Sequence, residues 1–241
     1  MPASPPAPQR RSRAPWIIGA VVVVVAALFG VVQLTSGRSG DDTATTTTNA
    51  RAAQAGPTTG AQTPAGPVVT APVAVTGVKL PTVPESGKDQ ATGRAFPAME
   101  GSNVLDGSAL AIKADGRPKV VIFVAHWCPH CQREVPVITA WLGAKGMPTD
   151  VDLYAVSTAV NPDRGNFPPA TWLAREKWPV PTLADDADGT AFTAAGLTSF
   201  PSFVAVGADG TVRARAMGEL ETAQFEALLA APAPEVLTAR P

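Results

Sequence analysis

Cys128 and Cys131 are the only cysteines in the 241-residue chain, and Pro129 and His130 separate them. Two thiols at this spacing can close on one another, and the chemistry that follows is thiol–disulfide exchange. A thiol attacks a disulfide only as its thiolate, so a reactive cysteine needs its pKa brought below the usual 8.5 or so. The first turn of a helix provides this, because its unpaired N–H groups and positive dipole end stabilise an anion. Cys128 would occupy that first turn and Cys131 the next, deeper position. Cys128 is therefore expected to attack and Cys131 to resolve. His130 can add a positive charge or a hydrogen bond near the Cys128 sulfur, and Pro129-His130 together tune redox poise. A stabilised thiolate favours the reduced form, which makes the disulfide more oxidising.

The same residues admit a second chemistry. His126, Cys128, His130 and Cys131 offer soft sulfur and imidazole ligands for zinc or copper. A closed tetrahedral site is awkward along so tight a run, and no second cysteine pair exists, so metal binding or delivery stands as the alternative and no metal is assigned. His126 is expected at the surface, shaping the site. No organic cofactor is expected, since the two thiols carry the electrons themselves. A peroxidase reading is weaker still, since no Pro-x-x-x-Thr-x-x-Cys arrangement is present to activate a peroxidatic cysteine. With 19 basic and 20 acidic residues, the chain has no nucleic-acid footprint.

Positioning this pair requires a domain, which begins where the composition changes, near Phe96. Lys119 to Ala125 is a β-branched run that predicts a buried central strand. Cys128 to about Leu142 predicts a helix with Val135, Ile138 and Leu142 on its apolar face. Val151 to Ser157 predicts a second buried strand, and Thr171 to Trp178 a short helix ended by Pro179-Val180-Pro181. Ser202–Val206 and Thr211–Met217 predict a hairpin across Gly207-Ala208-Asp209-Gly210. Thr222 to Leu229 predicts a closing amphipathic helix capped at Glu221 or Thr222. The order gives an α/β domain with a central mixed sheet flanked by helices.

On these residues the chain resembles the thioredoxin superfamily. Trp127 precedes the first cysteine, Pro136 follows Cys131 by five positions, Phe200-Pro201 stands just before a strand, and Gly218 follows the last strand. Finer matches are to the membrane-anchored TlpA/ResA group: Glu134 in Cys131-x-x-Glu134-x-Pro136, the stretch from Trp178-Pro179-Val180 to Asp185, and the Asp209-Gly210 turn. The resemblance implies a thioredoxin-like fold from about residue 100 to 230 and a cis Pro201. With Phe200, Pro201 would help hold the substrate chain, and Trp127 would serve packing and substrate alike. It also implies that Glu134 helps set the cysteine pKa values. Ile122 stands where thioredoxin carries a buried aspartate, so Glu134 is the candidate for proton transfer to Cys131. The Pro-His dipeptide is the DsbA choice, although the frame lacks a large helical insertion of the DsbA kind. Dipeptide and frame point in opposite redox directions, which leaves the direction of electron flow open.

The N-terminal part supplies location rather than chemistry. Residues 1–15 carry Arg10, Arg11 and Arg13 and no acid. Residues 16–34 form an uncharged apolar run of about 19 residues, roughly 28 Å as a helix, close to the ~30 Å hydrocarbon core. Arginines on its N-terminal side predict a cytoplasmic N-terminus and an exported remainder. An uncleaved anchor is preferred to a cleaved signal peptide, because no Ala-x-Ala follows closely. Proline and glycine number 25 and 21, and many fall in residues 35–95, read as a disordered Thr/Ala/Pro/Gly-rich tether. The domain is expected over 96–232 and a tail over 233–241. The resemblance and these segments together imply a single-pass membrane protein whose catalytic domain is extracytoplasmic. Its partners would be exported protein thiols or disulfides and a membrane redox protein.

Overall fold

The computed structural model describes residues 66–232. The basic N-terminus, the apolar run 16–34, the first part of the tether and the tail 233–241 lie outside the described residues. Among those described, no helix is long and apolar enough to cross a membrane.

Twelve elements follow in the order β1 (Ala74–Thr76), β2 (Ala98–Ser102), β3 (Ala109–Ile112), β4 (Lys119–Val124), α1 (Pro129–Lys145), β5 (Asp152–Ser157), α2 (Pro169–Arg175), β6 (Thr182–Ala184), α3 (Thr190–Ala194), β7 (Ser202–Val206), β8 (Val212–Met217) and α4 (Thr222–Ala230). A five-stranded sheet is ordered β6-β5-β4-β7-β8. β5 runs parallel to β4 and β6, while β7 pairs antiparallel with β4 and β8. The sheet is therefore mixed, as the sequence predicts, and β4 lies at its centre.

Every β4 residue is buried because both sheet faces are covered, which is why its sequence after Lys119 is a continuous apolar run rather than an alternating one. Alternate side chains serve opposite faces. Val120, Ile122 and Val124 pack with Val135, Ile138 and Leu142 of α1 and with Phe225 and Leu228 of α4. Val121 and Phe123 face Leu80, Met99, Ile112 and Leu197. The second of these layers draws on residues the sequence assigns to the tether.

That assignment is corrected for residues 66–95. β1 joins β2 and β3 in a three-stranded antiparallel sheet, and Leu80 and Ala91 are buried. Asp89 pairs at 2.5–2.8 Å with Arg215 of β8, whose side chain is fully buried. The Arg215 guanidinium also donates to the carbonyls of Pro81 and Ala195. Val104 N–H donates to Thr182 O at 2.7 Å, tying this small sheet to β6. The domain thus begins well before Phe96.

The active-site helix α1 starts with Cys128 in extended geometry at its N-cap and Pro129 at its first position, where the missing N–H is no loss. It ends at Gly146, whose φ of 83° permits the left-handed turn after Lys145. Pro136 lies inside the helix, as predicted. α4 opens with Glu221 as N-cap, its carboxylate reciprocated by Gln224.

Candidate active site

β4 ends at Val124, and the four residues after it carry the chain from sheet to helix. This places the two sulfurs at the carboxyl end of the central strand. Cys128 is 6% exposed and Cys131 0%. The Cys131 sulfur accepts the Ala125 N–H at 3.5 Å, and burial pushes its thiol far above the ordinary value. The Cys128 thiol donates to the Phe200 carbonyl at 3.6 Å, and the Phe200–Pro201 peptide is cis. The structure therefore brings the cis-proline segment against Cys128. α1 has no acidic residue in its first turn to oppose the positive dipole end.

Trp127 is fixed on one edge by its indole N–H, which donates to Ala159 O at 2.7 Å. Its ring meets Phe200 edge to face at 6.2 Å, and the Arg164 guanidinium lies 4.8 Å from the ring centroid. Phe200 in turn packs on Phe192 at 4.5 Å. Cys128 is thus bordered by an aromatic wall of Trp127 and Phe200.

His126 differs from expectation. It is fully buried rather than at the surface. Its Nδ1 lies 2.8 Å from Gly165 O, and its Nε2 accepts the Asn161 N–H at 3.2 Å. These partners require the tautomer with Nδ1–H donating, and burial depresses the ring's pKa. The side-chain amides of Gln132 and Asn166 donate to the His126 carbonyl. A loop from Ala159 to Pro168, with Asn166 at φ 63° and a cis Phe167–Pro168 bond, folds over the ring. With both nitrogens occupied, His126 has no lone pair for a metal. Among the described residues, no three His, Cys, Asp or Glu side chains converge to hold one. The metal alternative therefore loses its geometric basis.

Glu134, one turn beyond Cys131, is almost fully buried rather than solvated. One carboxylate oxygen accepts the Leu220 N–H at 3.2 Å and the other has no partner. Burial pushes its pKa up to about 7, with Glu219 and Glu221 adding repulsion. A cavity of about 10 Å³ adjoins it, lined by Glu134, Ile138, Trp141, Leu220 and Phe225 among others. Glu134 also raises the Cys131 thiol through its charge, so the two groups are electrostatically coupled. Ile122, in place of an acid, is wholly buried in the same core.

His130 is exposed, and its Nδ1 lies 2.5 Å from Glu219 Oε1. Arg133 grips the same carboxylate at 2.6–3.1 Å. Sequence reasoning did not find Glu219 or Arg133. The only signal was Gly218, which marks where the chain turns back toward α1.

A family model described as Redoxin matches residues 91–229. The chain belongs to that family. This Redoxin chain is 28% identical over 131 residues to the thiol:disulfide interchange protein DsbE of Pseudomonas aeruginosa, a match covering 54% of the chain and 68% of that protein. Among solved structures, StoA from Bacillus subtilis superposes with a TM-score of 0.46 at 17% identity, covering 54% of this chain and 95% of that one. A secreted Mycobacterium tuberculosis disulfide oxidoreductase homologous to E. coli DsbE gives 0.44 at 20% identity, covering 55% and 94%. By family and curated relative, this Redoxin chain is a thiol–disulfide oxidoreductase with a thioredoxin-like fold.

Proposed function

We propose that this oxidoreductase is of the TlpA/ResA type, tethered to the membrane by residues 16–34, and that it exchanges disulfides with exported proteins. The observation that carries the assignment of roles is the asymmetry of the two sulfurs. Cys128 reaches the surface beside the cis Pro201 segment, while Cys131 is sealed beneath it with its thiol held protonated by burial.

In the reducing direction the Cys128 thiolate attacks a client disulfide, forming a mixed disulfide and releasing one client thiolate. Cys131, deprotonated with Glu134 as acceptor of its proton, then attacks the Cys128 sulfur. The Cys128–Cys131 disulfide forms and the second client thiolate leaves. The client gains two electrons and the enzyme loses two, which a membrane redox partner restores. Oxidation of a client dithiol is the same sequence reversed. Trp127, Phe200 and Pro201 would border the client chain during the mixed-disulfide stage, and Pro129 and His130 would adjust the poise.

The test is trapping in cells. A Cys131→Ser chain should accumulate mixed disulfides through Cys128 with exported proteins, which reducing agent releases. A chain that traps no exported protein would end this reading.

A further inference from the structure

The cluster of His130, Arg133 and Glu219 has no part in the electron transfer steps, yet it surrounds the variable dipeptide of the motif. Cys128 hydrogen-bonds to the Phe200 carbonyl rather than to His130. The His130 Nδ1 lies 2.5 Å from Glu219 Oε1, and the Arg133 guanidinium lies 2.9 Å from the same nitrogen. Arg133 lies one turn along α1 and makes a three-contact fork to Glu219. Its positive charge couples favourably to Cys128. His130 and Arg133, both in the opening turns of α1 that follow Cys128, are therefore bound to one carboxylate in the segment after β8. Hydrogen bonding with Arg133, and then with His130, holds the Glu219 carboxyl down at about 2, so it is ionised throughout the physiological range.

We infer that Glu219 is a positioning residue that restrains the oxidising power of the Pro129-His130 dipeptide by drawing His130 and Arg133 away from the Cys128 thiolate. Thiolate stabilisation makes a disulfide more oxidising, and positive charge near the sulfur is one source of it. Glu219 cancels one unit of that charge and anchors the imidazole by its Nδ1. A Pro-His dipeptide held in this way gives a less oxidising couple than the dipeptide with its histidine free. The inference rests on Cys128 and Cys131 forming the working couple.

The experiment is the equilibrium of the full chain against glutathione buffers, with the Cys128–Cys131 disulfide read out by thiol labelling. Glu219→Gln should make the disulfide two- to fivefold more readily reduced, since exposed charge pairs carry modest energies. Glu219→Asp should restore most of the wild-type value. Glu219 also presses on Glu134, so the same substitution is made in a His130→Ala, Arg133→Gln background. There the shift should vanish. An unchanged equilibrium in Glu219→Gln, a shift in the reducing direction, or a shift that persists in that background would overturn the role of Glu219. A chain that forms no Cys128–Cys131 disulfide at any glutathione ratio would instead overturn the assignment of the couple itself.

Discussion

Glu134 has a folded-state pKa of about 7, above its ordinary 4.5, so folding favours its protonated form. The stability it contributes is fully present below about pH 4.5 and is lost as pH rises through about 7. The expected loss on moving from pH 5 to 8 is of order 2 kcal/mol, after allowing for residual solvent near the group. Urea unfolding of Glu134→Gln across this range should show that slope largely removed, with the variant more stable than wild type at pH 8. In a chain that keeps Cys131, the same substitution should also slow resolution of the mixed disulfide, because the neutral amide cannot take the Cys131 proton. Sequence made this residue visible only through its spacing from Cys131. Its burial depends on Leu220 and Phe225, which lie more than 80 residues away and have no local signature.

At the scale of elements, the strands and helices legible in the sequence are those with a long apolar pattern. β4, β5, α1 and α4 are each six or more residues long, and their buried residues fall in the pattern their element requires. β7 and β8 were marked by the turn between them. β1, β2, β3, β6 and α3 are three to five residues long, and several are built from Ala, Gly and Ser rather than β-branched residues. Only tertiary contacts define them. The same reasoning explains His126, whose partners Asn161 and Gly165 come from a loop with no regular pattern. His126→Phe would fill the space but leave a buried carbonyl and N–H unpaired, at a cost of about 2–4 kcal/mol. Equilibrium unfolding of the variant should show that loss, and hydrogen exchange should rise across 159–168. Because burial lowers the pKa of His126, wild type gains this stability above the unfolded value near 6.5 and loses it as pH falls through the lower folded value.

At the scale of the whole molecule, the misplaced N-terminal boundary is informative. Residues 66–95 share the Pro, Gly and Thr of the tether before them, which is why they read as one segment with it, but they add Leu80 and six valines where residues 35–65 have no large apolar residue. What holds them to the domain is a few buried contacts, chiefly Leu80, Ala91 and the Asp89–Arg215 pair. A chain beginning at Phe96 would strip Pro81 and Asp89 from the Arg215 guanidinium and uncover the apolar face that Leu80 and Ala91 pack against. Loss of one partner of a buried pair costs about 3–5 kcal/mol, which for a domain of this size is on the order of 10 °C in Tm. A chain beginning at residue 66 should melt as the full chain does, and Arg215→Met should recover part of the loss in the shorter one. Equal melting of the two truncations would refute the account of this pair.

Asp89 and Arg215 stand 126 residues apart. Closing a loop of that length costs an unfolded chain roughly 4 kcal/mol of entropy beyond the constant for the shortest loops. The pair can form at low cost only after the central sheet has already brought β8 near the end of β3. Assembly therefore has an order: the centre first, and the N-terminal flank last. In a chain emerging N-terminus first, residues 66–95 appear early and wait for almost the whole of the remainder before they can dock. During that interval Leu80 and the sheet face it covers are open to solvent, so the slowest refolding signal should be protection of residues 66–95.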